Sequence, residues 1–349
     1  MRLERRESVP AWASVAAPLA AVAAALILCA LLVAASGAPV LKAFATLFEG
    51  GFGSRFAIGE TLTRATPLIL TGLAAAVAFR AKLWNIGAEG QLYLGALAAV
   101  ALGSGPLALP AWALLPVVML GAALAGGLAL LGPALLKTRF GVDEVVTTLL
   151  LNFIVLLFVS MMLEGPMKDP MAMGWPQSAA MLPEAELPRL VARSRVHAGL
   201  LIAVALAGLV WVLKSRTIWG FEMRALGANP RAAAFAGVPV GKVVLRVALL
   251  SGGLAGLAGA CEVAGRAGYL TLDLSPGYGY SGIVIAMLAQ LNPLGVIAAA
   301  VMVAGVFVGA DAMSRAVGVP NYIADVLVAV SLLCMLTAML FTRYRLRRG

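Results

Sequence analysis

The chain has 349 residues, 62% hydrophobic and 12% charged, with a mean hydropathy of +0.98 and a formal net charge of +10 at pH 7. A soluble fold of that length has no interior large enough to hide so much apolar surface, so composition excludes a soluble domain and leaves an all-α polytopic membrane protein. The positive charge is dispersed over short segments next to helix ends without interleaved aromatics, which argues against nucleic acid as a partner.

Apolar runs long enough to cross about 30 Å of hydrocarbon at about 1.5 Å per residue recur along the chain. They predict about ten transmembrane helices, at residues 12–35, 56–79, 84–103, 107–136, 143–163, 196–214, 241–262, 277–290, 293–311 and 321–342. The fourth is long and expected to bend near Pro116, and the eighth is short. The opening MRLERRESVP resembles the basic region of a signal peptide, but the apolar run after it is too long, so the first span is read as retained. Lys and Arg gather at Arg2–Arg6, Arg80–Lys82, Lys137–Arg139, Lys214–Arg246 and Arg343–Arg348. By the positive-inside rule both termini then face the cytoplasm. The spans form one transmembrane domain with halves at 1–163 and 196–349 about an outer segment at 164–195. Five spans per half make any internal repeat an inverted one, the 5+5 arrangement common among transporters.

Cys29, Cys261 and Cys334 lie in or at the end of apolar spans with no paired spacing, as buried reduced thiols do. The single histidine, His197, stands at an outer span start. Neither a histidine metal site nor a histidine triad is available, so no bond chemistry is expected of this chain.

Polar residues interrupt the apolar pattern at three places. In LWNIGAEGQLYLG, residues 83–95, helical spacing puts Asn85 and Glu89 on one face and Gln91 about 160° away from Glu89. Arg80 and Lys82 place the start of this span at the cytoplasmic face. There a glutamate is cheaper than the about 2.5–3.5 kcal/mol it costs at the bilayer centre. Either Asn85 caps the helix and Glu89 complements its dipole, or the stretch lines the path at an inner gate. The matching span of the second half opens LSPGYGYSGIVIAMLAQLNP, residues 274–293. Interrupted spans at corresponding positions point to a substrate path near the midplane. Tyr278 and Tyr280 would stack on a base or sugar, or anchor at the interface, and Gln290 closes the stretch. In TRFGVDEVVTTLLLN, residues 138–152, Asp143 is placed to cap the fifth span. Glu144, Thr148 and Asn152 then descend one face, as path lining or as interhelical hydrogen bonds. Gly252 with Gly256, and Gly305 with Gly309, have the spacing of close helix packing.

The segment 215–242 is longer than a connector needs to be. Gly227 ends one short helical stretch, while Asn229 as cap, Pro230 at the first turn and Gly237 after the end delimit another. GVPVGKV falls one residue short of a phosphate loop and has Val243 where Ser or Thr is required, so any ATP must be bound by a separate subunit.

Together LWNIGAEGQLYLGALAA, GVDEVVTTLLLN and GFEMRALGANPRAAAFAGVPV resemble the permease subunits of bacterial ABC importers for nucleosides and simple sugars, the branch served by basic membrane lipoproteins, over at least residues 60–342. The resemblance implies a permease in the bacterial inner membrane, paired with a second, related permease. It also implies a partner ATPase that binds ATP and Mg, and a substrate-binding lipoprotein. It puts Glu222 to Gly237 at the position that docks on the ATPase, with Glu222, Arg224, Gly227, Asn229 and Arg231 in that role. Asn85, Glu89, Gln91, Thr148, Asn152, Tyr278 and Gln290 are the candidates for the substrate path. A stand-alone ion-coupled transporter with Glu89 or Asp325 as proton carrier is the rival. A membrane receptor is disfavoured by the shortness of the outer loop. Among importer substrates the order is nucleoside, simple sugar, then branched-chain amino acid, because the sequence offers no buried charge pair suited to a zwitterion.

Overall fold

The structure, a computed structural model, describes residues 2–5 and 11–318 apart from 106, 108 and 193, with scattered positions from 320 to 347. The helices in chain order are α1 (Ala11–Ala35), α2 (Val40–Phe52), α3 (Arg55–Arg80), α4 (Ala88–Gly103), α5 (Ala111–Phe140), α6 (Glu144–Glu164), α7 (Gly199–Arg216), α8 (Ile218–Ala228), α9 (Pro230–Phe235), α10 (Val240–Glu262), α11 (Tyr278–Leu288) and α12 (Pro293–Val317). Two short strands, β1 (Arg2–Arg5) and β2 (Tyr344–Arg347), pair antiparallel with Arg2 opposite Arg347. Each expected span except the last has its helix; the last, 321–342, lies largely outside the described residues.

Six helices among the described residues are long and apolar enough to cross a membrane: α3, α5, α6, α7, α10 with its continuation, and α12. The end of α1 and α2 form a further pair bent by 117°. α2 was not expected, because a 13-residue amphipathic helix lacks the length that marks a span. α4 and α11, with 16 and 11 residues, are too short to cross alone, although the sequence reads both as spans.

Two compact units divide the chain: Leu62–Met302, and Met1–Thr61 with Val303–Gly349. Within the larger unit α10 packs along α5 and α4, and α4 also along α5, α6 and α11. The close packing expected of Gly252 and Gly256 is made against α5: a Cβ on Gly126 would stand 2.8 Å from the Gly256 Cα, and one on Gly252 2.9 Å from the Gly127 Cα. α10 is mostly enclosed by protein, whereas α6 and α7 present Leu150, Ile154, Leu157, Leu201 and Leu209 outward, as lipid-facing helices do. In the smaller unit Gly309 of α12 lies against the α2 backbone at Leu47, and Gly305 against the Phe52 ring.

The segment after α6, expected from the sequence to lie outside, is seated, not loose. Its backbone amides at Ser178, Met181, Leu182 and Leu187 donate to the carbonyls of Leu270, Gly268, Gly103 and Ala264 at 2.7–3.0 Å. Its own Ser178, Met181, Ala185 and Leu187 are buried.

Candidate functional site: a junction of two half-helices

α4 begins at Ala88, after an unwound stretch with Gly87 at the cap. Unwound backbone at membrane depth has no water to bond to, so its polar groups need protein partners. One face of α6 supplies them. Glu144 Oε1 accepts the Trp84 amide at 3.2 Å, Thr148 Oγ1 the Ile86 amide at 3.2 Å, and Asn152 Oδ1 the Gly90 amide at 2.9 Å. Asn152 Nδ2 also donates to the Ile86 carbonyl at 3.0 Å and to the Tyr280 hydroxyl at 3.2 Å. Lys137 pairs with Glu144 at the mouth of the row. The alignment of Glu144, Thr148 and Asn152 read from the sequence therefore serves to bind the broken segment, with Asp143 capping α6 through the Val145 amide at 2.8 Å.

Asn85 departs from the helical wheel, since it lies ahead of the helix. Its amide pairs reciprocally with that of Gln91, both bonds 2.9 Å, so the two face each other and not opposite ways. Asn85 Oδ1 also accepts the Gly87 amide at 3.0 Å, and Nδ2 donates to Ser251 Oγ at 3.1 Å. Ser251 in turn donates to the Ala74 carbonyl at 2.7 Å, tying α3 and α10 to the break. Asn85 and Gln91 are fully buried.

Glu89, in the first turn of α4, reaches the first turn of α11, where its Oε2 accepts the Gly279 amide at 2.6 Å. A Cβ on Gly279 would stand 2.6 Å from the Glu89 Cα, so the approach requires glycine. Two helix N-termini thus abut, each with amides that have no acceptor within their own helix and a positive dipole end, with one carboxylate between them. Thr71 Oγ1 lies 3.0 Å from the Tyr278 carbonyl, joining α3 to the same point.

Glu89 is buried, at 4% exposure. Leu291, just past the far end of α11, accepts a hydrogen bond from Lys214 at the basic end of α7. The 11 residues of α11 rise about 16 Å from there. Its N-terminus, and Glu89 with it, therefore lies about that far along α11 from the Lys214 end, enclosed by protein. Tyr278 is 2% exposed at this point and is no interfacial anchor. Gln290 is exposed at the opposite end of α11 and takes no part in the junction.

A second carboxylate, missed in the sequence, lies at the end of α10. Glu262 is fully buried and its Oε2 accepts Arg266 Nε at 2.6 Å. Glu262 is the last residue of the apolar run at 241–262 and carries no candidate role in the sequence, whereas the helix continues past it as a π-helical turn, Val263–Ala267, which brings the part-exposed Arg266 back onto its carboxylate.

At the basic end, α8 is capped by Thr217 and α9 by Asn229, whose Oδ1 accepts the Arg231 amide at 3.0 Å and the Ala232 amide at 3.2 Å. α8 ends one residue past Gly227, at Ala228, and Gly227 is where it lies against the Arg80 carbonyl. Glu222 faces Arg246 at 3.6 Å and Arg224 donates to the Lys214 carbonyl, so both point inward, whereas Arg231 and Phe235 on α9 are exposed. A cavity of about 340 Å³ opens beside α8, lined by Arg80, Lys82, Trp84 and Arg224 among others.

Long apolar helices around two half-helices that meet inside the bundle define a multi-pass membrane transport protein. The chain belongs to the family described as branched-chain amino acid transport system / permease component, which matches residues 57–336. It is 38% identical to the glucose ABC transporter permease protein TsgB13 of Haloferax volcanii over 100% of this chain and 95% of the relative. It is 37% identical to the guanosine ABC transporter permease protein NupP of Bacillus subtilis, over 90% of this chain and 91% of that protein. A second permease of Bacillus subtilis, the guanosine ABC transporter permease protein NupQ, is 28% identical over 70% of this chain and 78% of that one. This chain is accordingly a permease subunit of an ABC transporter.

Proposed function

We propose that this permease forms half of the path by which an ABC importer takes up nucleosides, or simple sugars, across a bacterial inner membrane, with both termini in the cytoplasm. The observation that carries the transport role is the Glu89–Gly279 junction, where two half-helices meet inside the bundle and a path can open between inverted halves. The substrate class is supported by the extent of the match to guanosine and glucose permeases. ATP and Mg belong to a separate ATPase, a second and related permease completes the path, and a lipid-anchored binding protein delivers substrate. The occurrence of two guanosine permeases in Bacillus subtilis, both similar to this chain, supports the pair. The exposed α9 with Arg231 and Phe235 is the docking element for the ATPase, held at its angle by Glu222, Arg224, Gly227 and Asn229. Asn85, Gln91, Thr148 and Asn152 keep the path wall in shape, and Glu89 and Tyr278 stand where it opens. Coupling requires that the two states of the ATPase contact α9 differently.

The test is uptake into proteoliposomes of labelled guanosine and glucose. The permease alone, under a proton or sodium gradient, is expected to carry neither. With its ATPase, second permease and binding protein, one of them is carried on ATP, and deletion of 229–237 abolishes that uptake. Gradient-driven uptake by the permease alone would establish the ion-coupled rival.

A further inference from the structure

Glu262 presents an unusual pair of oxygens. Oε2 is held by Arg266 Nε, and Arg266 Nη2 donates onward to the Leu274 carbonyl at 3.2 Å. Oε1 is buried and has no hydrogen-bond partner. Buried polar atoms in native proteins are nearly always bonded, so an open carboxylate oxygen calls for a donor that arrives in some state of the protein. A metal ion is not that donor's substitute, because no group of metal-ligating side chains occurs among the described residues.

The surroundings point to transported substrate. The chain leaves regular helix at this residue for the π-helical turn Val263–Ala267, which ends at Gly268 with φ of 78°, and such turns gather at functional sites. The Leu274 carbonyl that Arg266 holds is followed at once by Ser275, whose Oγ accepts the Tyr278 amide at 2.9 Å, so the Glu262–Arg266 pair is tied to the start of α11 and the half-helix junction. The two carboxylates differ there: Glu89 is engaged by the α11 backbone, while Glu262 retains an unused acceptor. Above it the outer segment is bonded to the carbonyls of Ala264, Gly268 and Leu270, so lifting that segment would uncover Glu262 from outside.

We propose that Glu262 Oε1 accepts a hydroxyl hydrogen from the sugar of the transported molecule, with Arg266 as the positioning residue that fixes the carboxylate. This rests on the nucleoside or simple-sugar reading above. A hydroxyl fits better than an ammonium, since the guanidinium already balances the carboxylate charge.

The complete transporter in proteoliposomes tests it, with labelled guanosine as substrate and guanosine or 2′,3′-dideoxyguanosine as competitor. In the unaltered protein guanosine should compete about 10-fold or more better than its dideoxy analogue. In Glu262→Gln that ratio should shrink to about 2-fold or less, with KM for guanosine raised about 10-fold and kcat little changed, and Glu262→Asp should restore part of the discrimination. An unaltered ratio in Glu262→Gln, a loss of kcat without loss of discrimination, or no discrimination in the unaltered protein would overturn the proposal while leaving guanosine transport standing. Competition by leucine and not by guanosine would defeat the substrate reading itself, and the proposal with it.

Discussion

Glu89 Oε2 and the Gly279 amide, 190 positions apart in the chain, are joined by a 2.6 Å hydrogen bond that pins the start of α4 to the start of α11. A hydrogen bond to a charged group contributes about 1.5–3 kcal/mol. Glu89→Gln should lower the thermal unfolding midpoint in detergent, and Glu89→Ala should lower it further. Gly279→Ala should do at least as much harm, because its methyl would meet the Glu89 Cα, whereas Gly132→Ala, with open space around it, should be neutral or mildly stabilising. Equal effects of the two alanine substitutions would show that the close approach is unimportant.

The reciprocal pair of Asn85 and Gln91 predicts strong non-additivity. Removing either amide leaves the other buried and partly unsatisfied, at about 1–3 kcal/mol. Removing both leaves no orphan within the pair, so the double variant should lose less than the two singles combined, by about 1–2 kcal/mol. Additive losses in chemical denaturation would mean the amides act separately.

Asn229→Ala removes the cap of α9 and should cost that helix about 1 kcal/mol. The helix has only six residues, so it should fray while the membrane helices stay intact. The expected result is weaker co-purification with the ATPase at an unaltered unfolding midpoint. Asn229→Asp, which keeps the acceptor oxygen, should retain most of the association.

His197 gives the protein an acid-sensitive point. Burial first, and the nearby Arg266 second, push its pKa down from 6.5 to about 4, and its Nδ1 accepts the Gly199 amide at 3.2 Å. Below pH 6.5 the unfolded chain takes up a proton that the folded ring refuses, so stability falls as the pH drops toward 4, by about 2–3 kcal/mol in all. Unfolding midpoints between pH 7 and 4.5 should show this slope, and His197→Asn, which keeps an acceptor without a titrating group, should flatten it. An equal slope in the variant would assign the effect to other groups.

The sequence made the long helices legible because hydrophobic length is a local property, and the Asp143 and Asn229 caps because capping is local too. The meeting of Glu89 with Gly279 was not legible. Residues 83–87 are unwound, and extended backbone covers about 3.3 Å per residue where a helix covers about 1.5 Å, so the reach of the chain from Lys82 to Glu89 does not follow helical spacing. The same break removed Asn85 from the helical face on which it was placed. Glu262 escaped notice because its neighbours Gly265 and Arg266 look like the end of a span, and only the three-dimensional course shows the helix loosening there without stopping.

The seat of the outer segment rests on main-chain amides, while Met171, Met173 and Trp175 stand exposed on it. That anchorage, with Ser178 Oγ accepting the Leu270 amide at 2.8 Å and Met181, Ala185 and Leu187 buried, makes no use of the exposed side chains. In the proposed importer, mutation of those exposed side chains would rewrite the surface offered to a binding protein without disturbing the membrane machinery beneath, so cargo delivery and translocation would be free to evolve at different rates.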